Sequence, residues 1–251
     1  MHKIYPEAGG GLDLLGLAEA YAFPSQQARW VRASMVSSAD GAAYVAGRSA
    51  GLSSPDDMNV FGIQRMLCDA VLVGAGTARA EEYKAVRRRP SLLALRQGRP
   101  DTATIALVSR SLGLNLASPL FADAAPDART IVITCAASDP ELRAETAKAA
   151  DVIVAGDETV DLAAALDALA GRGLTRVVCE GGPHLLADLT AAGLLDELCL
   201  TLSPTLAGPG ASRIVAGAAQ ADLRRLALRQ LLAGDDGFLF ARYVATEEPQ
   251  R

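Results

Sequence analysis

The chain has 251 residues, half of them hydrophobic and 21% charged, with a formal net charge of -5. That balance excludes a disordered chain, and its acidic sign argues against nucleic acid or an anionic membrane as the main partner. The length suits one large α/β domain whose core needs no disulfide or metal staple.

The first 28 residues form a polar, Gly-bearing approach segment. Their start, Met1-His2-Lys3-Ile4-Tyr5-Pro6-Glu7, lacks the apolar centre of a signal peptide. Residues 29–246 read as the body of the protein. Trp30 to Ser38 alternates as a strand, and Ser53-Ser54-Pro55-Asp56-Asp57 opens a helix with a Ser cap, a first-turn Pro and two carboxylates. Met58, Phe61, Ile63, Met66 and Leu67 are its expected apolar face. Short apolar strands follow at 70–73, 104–108, 131–134, 152–154 and 176–179, with helices expected near 139–149 and 161–170. A helix opens at Pro183 and runs through Leu189, a strand covers 197–202, and 237–243 reads as an edge-type closing strand.

Apolar strands alternating with amphipathic helices mean a mostly parallel sheet covered on both faces. The last strands are joined by loops, so antiparallel members are expected at one edge. No apolar run approaches the roughly 20 residues of a membrane span. Cys68, Cys135, Cys179 and Cys199 form no CxxC pair, and only two histidines are present. Neither a metal site nor a disulfide framework is expected, and the setting that fits is a reduced cytoplasm. The cysteines read as small core residues.

Two Gly-rich turns carry the chemistry. Gly74-Ala75-Gly76-Thr77 and Glu180-Gly181-Gly182-Pro183 each stand where an apolar strand stops and a helix starts. Such a turn is either a plain tight turn or a place where backbone amides approach a phosphate. Two of them, on strands that can be neighbours, favour a dinucleotide cleft, although neither is a GxGxxG fingerprint or a P-loop. Ser109-Arg110-Ser111 is a third strand end, suited to a phosphate monoester or to solvent. The basic run Lys84 to Arg99, with Arg87, Arg88, Arg89, Arg96 and Arg99, is read as a phosphate-binding or a solvated loop. Glu180 and Asp40 are the candidate catalytic carboxylates. Glu180, shielded behind an apolar strand, suits proton handling or turn capping, and Asp40-Gly41 also reads as a simple turn. His184 either contacts a phosphate or is exposed.

Taken in order, Ser37-Ser38-Ala39-Asp40-Gly41, Gly47-Arg48-Ser49, Ser53-Ser54, Asp69 to Thr77, Glu180 to Pro183 and Leu195-Asp196-Glu197-Leu198 resemble the bacterial riboflavin-biosynthesis reductase domain. The resemblance runs from about Trp30 to Tyr243 and is nearest the stand-alone, actinobacterial-type branch, without a fused zinc deaminase. It implies a three-layer αβα dihydrofolate-reductase-like fold with a mixed, mostly parallel sheet, and a homodimer. It further implies NADPH as hydride donor and 5-amino-6-(5-phosphoribosylamino)uracil as substrate, its ribosyl group reduced to ribityl at C1′. By position, Gly51, Gly74, Gly76, Thr77, Glu81, Ser109, Gly181, Gly182, Pro183, His184 and Leu185 would lie along the cofactor. Arg110 is assigned to its 2′-phosphate from charge and position. Ser49, Arg65, Arg87 and Glu180 would face the substrate.

The sequence also departs from the family. Ser34 and Ala42 stand where many members carry Lys, and Glu81-Glu82-Tyr83 replaces the usual Asp-Asp-Pro. An unreplaced cationic contact costs about 1–3 kcal/mol. The cofactor turns are intact, so these departures bear on the substrate. Reduction of dihydrofolate or another pterin is therefore the second reading, and a non-catalytic NADP(H)-binding protein the third.

Overall fold

A computed structural model describes residues 1–25, 27–217 and 223–246. In chain order its elements are β1 (His2–Tyr5), α1 (Leu14–Ala20), β2 (Trp30–Ser38), α2 (Pro55–Leu67), β3 (Ala70–Gly74), α3 (Ala75–Ala80) and β4 (Thr104–Val108). There follow α4 (Pro119–Ala122), β5 (Ile131–Thr134), α5 (Pro140–Ala149), β6 (Asp151–Val154), α6 (Leu162–Ala170) and β7 (Arg176–Cys179). The chain closes with α7 (Pro183–Ala191), β8 (Glu197–Ser203), β9 (Leu226–Ala233) and β10 (Leu239–Ala245). These elements fall into two compact units: one takes Met1–Ser25, Trp30–Gln64 and the chain from Cys179 on, the other is built on Arg65–Val178.

In the Arg65–Val178 unit the strand order is β7-β3-β4-β5-β6, and the β3–β4, β4–β5 and β5–β6 ladders are parallel. Val71, Val73, Ala106, Val132 and Ile133 are wholly buried, as strands covered on both faces require. The expected neighbours β7 and β3 are indeed adjacent. Both start at Asp69, whose carboxylate accepts from the amides of Thr175 (3.1 Å) and Arg176 (2.8 Å). Helices α5 and α6 are capped by Asp139 and Asp161, each accepting from two first-turn amides.

The other unit orders its strands β1-β9-β10-β8-β2. Only β2–β8 is parallel, and β8–β10, β9–β10 and β1–β9 are antiparallel, which is the mixed edge expected from the loop connections. One expectation fails here. β10 is no edge strand, since β9 and β8 flank it on either side. The approach segment likewise supplies β1 and α1 to this unit.

Across the β2–β8 ladder Arg32 stands opposite Glu197. Both are fully buried and bonded, Nε to Oε2 at 2.8 Å. Arg242 adds a second guanidinium at 2.6 Å and Trp30 an indole N–H at 2.8 Å. The two arginines also donate to the carbonyls of Ala20, Tyr21 and Ala22, fastening the end of α1 to the sheet. Burial opposes the Glu197 charge, but Arg32 and Arg242 outweigh it and hold the carboxyl below the usual range.

Candidate active site

The turn after β7 places Glu180 in the buried shoulder of a strand end, 7% exposed. Gly181 follows at φ +87°, in the region that favours glycine, and the Gly181–Gly182 peptide is cis. A Cβ on Gly181 would stand 3.3 Å from the Met35 methyl carbon. Gly182 then caps α7 without any side-chain hydrogen bond. This differs from α5 and α6, whose first amides are taken by aspartates. Pro183 has no N–H, so the His184 and Leu185 amides are the first-turn donors left for an anion. The Leu185 side chain is buried and the His184 side chain exposed. Loop 212–217 packs on this turn, with the Ala216 amide on the Pro183 carbonyl (3.2 Å).

In the same unit, β2 runs into the Asp40-Gly41 turn. Asp40 is exposed, and its carboxylate accepts from the Ser38 hydroxyl (2.5 Å) and the amides of Ala207 (3.1 Å) and Gly208 (2.8 Å). The Ser38 hydroxyl first, then the two amides, lower its pKa to about 2. The geometry gives Asp40 the work of anchoring the 205–208 loop. Ser49 and Gly51 lie in a 3-10 turn over Ser49–Leu52, half-buried and exposed respectively, pinned by the buried Leu52. Asp57, near the start of α2, accepts from the Ser53 hydroxyl at 2.6 Å. Its burial pushes the carboxyl up, against hydrogen bonds from Ser53 and Thr201. Gln64 donates to Ser34 at 3.0 Å, a neutral pair.

In the Arg65–Val178 unit, Gly74 ends β3 and is the N-cap of α3, which carries Gly76 and Thr77 in its first turns and is followed by Glu81. Gly76 is exposed, with nothing within 4 Å of an added Cβ. At the end of β4 the buried Ser109 hydroxyl closes a turn onto the Leu112 amide (3.1 Å), while Arg110 is exposed. Arg65 lies in the last turn of α2 with its guanidinium 5.3 Å from the Tyr83 ring centroid.

The basic run divides. Arg96, 2% exposed, donates to the carbonyls of Met66, Cys68, Pro100 and Thr102. Arg99 donates to the carbonyls of Leu67, Cys68 and Leu95, and to the Asp69 carboxylate. Those two are helix-end caps for α2, so the reading of the whole run as a phosphate or solvated loop is corrected for them. Arg88 pairs with Asp101 in the open, and Arg87 is exposed. The sequence also ranked Met58 with the apolar face of α2, yet it is 50% exposed, while Ile63 and Met66 are buried as expected. All four cysteines are free and buried, and burial pushes the Cys179 and Cys199 thiols up to about 12. Among the described residues no cluster fit for a metal ion is found, and no helix is long and apolar enough to cross a membrane.

A family model described as RibD C-terminal domain matches residues 29–240. A 2,5-diamino-6-ribosylamino-4(3H)-pyrimidinone 5′-phosphate reductase of Methanothermobacter thermautotrophicus is 30% identical over 169 residues, 67% of this chain and 74% of that protein. Its namesake from Archaeoglobus fulgidus is 29% identical, over 62% of this chain and 71% of that protein. Among solved structures, a pyrimidine reductase-like protein of Corynebacterium diphtheriae superposes with a TM-score of 0.81 at 28% identity, covering 92% of this chain and 99% of that one. The riboflavin biosynthesis reductase of Saccharomyces cerevisiae gives 0.67 at 16% identity, covering 94% and 100%, a likeness of fold. The fold is thus the αβα dihydrofolate-reductase-like one.

Proposed function

The chain belongs to the RibD C-terminal domain family, and from that premise we propose that it is an NADPH-dependent reductase of a phosphoribosylaminopyrimidine in riboflavin biosynthesis. The observation that carries the reading is the turn after β7: a buried carboxylate followed directly by a helix start whose amides no side chain occupies. That donor set fits the diphosphate of a dinucleotide. The resemblance alone proposes Gly76, Thr77 and Glu81 as cofactor residues. Arg110, exposed beyond β4, is the residue proposed for the 2′-phosphate. The chemistry a bound NADPH supplies is hydride donation to ribosyl C1′, which turns ribosyl into ribityl.

The protein's own part is to hold two molecules in register and keep water out. Arg65 and Arg87 bind the substrate phosphate, and Ser49 offers a hydroxyl to the sugar phosphate end. Glu180 orients the substrate or passes a proton to the nitrogen beside C1′. Asp40 positions the loop after β8. The substrate ring is a uracil or its 2-amino counterpart, and the names of the curated relatives favour the 2-amino ring.

Absorbance at 340 nm tests this directly, with NADPH and, in separate wells, 5-amino-6-(5-phosphoribosylamino)uracil, the 2,5-diamino pyrimidinone phosphate and dihydrofolate. Oxidation with one phosphoribosylaminopyrimidine, sharply reduced in Glu180→Gln, is the expected result. Oxidation with dihydrofolate alone, or none in any well while NADPH binds, would overturn the assignment.

A further inference from the structure

Asp57 lies in the first turn of α2, three residues after Ser54, whose hydroxyl caps the helix by accepting from the Asp57 amide at 3.2 Å. A carboxylate at that place ordinarily reaches back to the amide of the capping residue. The Asp57 carboxylate instead accepts from two hydroxyls, that of Ser53 at 2.6 Å and that of Thr201 on β8. It is thereby drawn over the sheet, with hydroxyls as its partners and no cation. Burial pushes the carboxyl up, and the two hydroxyls offset this only in part.

Two turns further along the same face of α2 stands Gln64. It is 1% exposed, its Nε2 donates to the Ser34 hydroxyl at 3.0 Å, and its Oε1 has no hydrogen-bond partner. A buried acceptor left open costs free energy until something donates to it. Beneath the helix, Arg32, Ser34 and Val36 share one face of β2, and the parallel ladder sets Cys199 and Thr201 beside the last two. Arg32, Cys199 and Thr201 are buried, yet Ser34 and Val36 are only half-buried. α2 therefore leaves a seam open over these strands, with Asp57 towards one end and Gln64 towards the other. Each of the two has acceptor capacity to spare.

We propose that Asp57 reads the pyrimidine ring of the substrate: its carboxylate takes the 2-amino group and the adjoining ring N–H, and Gln64 Oε1 takes the 5-amino group opposite. The inference rests on the function proposed above and selects the 2-amino ring over uracil. In a 2-aminopyrimidin-4-one two N–H donors stand side by side, which matches the two oxygens of a carboxylate. In uracil a carbonyl replaces the amino group, so one carboxylate oxygen faces another oxygen and the pair is repulsive. The helical rise from Asp57 to Gln64 is about 10.5 Å, the scale of a six-membered ring with an amino group at each end and a hydrogen bond beyond each.

The test uses two rings that differ only at position 2 and carry no ribosyl group to reduce, 2,5,6-triaminopyrimidin-4-one and 5,6-diaminouracil. Their Kd values are measured by NMR titration of the unaltered protein, Asp57→Asn and Gln64→Leu. The unaltered protein is expected to bind the triamino ring at least about tenfold more tightly, the worth of a charged hydrogen bond against an unpaired group. Asp57→Asn, which offers one donor and one acceptor, should erase or reverse that ratio. Gln64→Leu should weaken both rings alike, because both carry the 5-amino group. NADPH affinity should be unchanged in every variant. Should the Asn protein not fold, Asp57→Ser serves in its place and is expected to erase the ratio without reversing it. Equal binding of the two rings by the unaltered protein overturns the proposal without any variant, and a ratio that survives loss of the carboxylate overturns it as well. If the ring preference is present and lost with Asp57 while no phosphoribosylaminopyrimidine is reduced, the ring site stands and the assigned reaction falls. If reduction is seen while the rings bind alike, the reaction stands and the ring site falls.

Discussion

Glu197→Ala isolates the buried cluster between β2, β8 and β10. The unaltered carboxylate is fully buried and accepts from Arg32, Arg242 and Trp30. Its removal leaves Arg32, with no exposed surface, and Arg242, 15% exposed, without their anion. Breaking one partner out of a buried pair costs about 3–5 kcal/mol. For a chain of this size that lowers the melting temperature by roughly 6–20 °C. Thermal unfolding at pH 7 followed by circular dichroism measures it. A fall of less than about 2 °C would refute the reasoning. Replacing all three charges by apolar residues is a sharper arm. In many buried clusters that exchange is neutral or stabilising. Here it orphans the carbonyls of Ala20, Tyr21 and Ala22, at about 1–3 kcal/mol for each left unpaired. The triple variant should therefore not regain the stability of the unaltered protein. Because the folded carboxyl is held low, the cluster stabilises the fold above the ordinary Glu value of about 4.3 and loses that contribution as pH falls below it.

Asp40→Asn should leave the fold intact and speed amide hydrogen exchange at Ala207 and Gly208 at pH 7. In the unaltered protein that protection is full above the ordinary Asp range and is lost only as pH falls towards about 2. Arg96→Ala should cost about 2–4 kcal/mol, read as a melting shift, because it strips the donors from four backbone carbonyls. Arg88→Ala, from an exposed pair, should cost less than about 1 kcal/mol. Two glycines separate conformation from contact. Gly181→Ala should destabilise by about 1–2 kcal/mol through its positive φ, whereas Gly76→Ala, with open space at its Cβ, should keep the melting temperature and raise the KM for NADPH.

The parallel half was legible because its signals are local. Runs such as Val71-Leu72-Val73 followed by Gly74 mark a buried strand and its end, and Asp139 and Asp161 announce the helices they cap. β9 was not legible, since Leu226-Ala227-Leu228-Arg229-Gln230-Leu231-Leu232-Ala233 is rich in helix formers. It is a strand only because β10 and β1 pair with it. Without β9 in view, β10 looked like an edge. At the candidate site the glycine turns and Glu180 could be read from the chain, but the duties of the arginines could not. A guanidinium suits a phosphate and a helix-end carbonyl equally well, and only the fold shows that Arg96 and Arg99 met carbonyls.

Asp69 makes the two glycine-ended strands answer to a common starting line. A residue inserted within β3 or β7 would push that strand's own glycine turn about 3.3 Å further from Asp69 and turn its side chains to the opposite face. An insertion in the loop before Asp69 or in the one before Thr175 would leave both distances untouched. Natural length variation among related chains should accordingly gather in the connecting loops and spare the five residues of β3 and the four of β7.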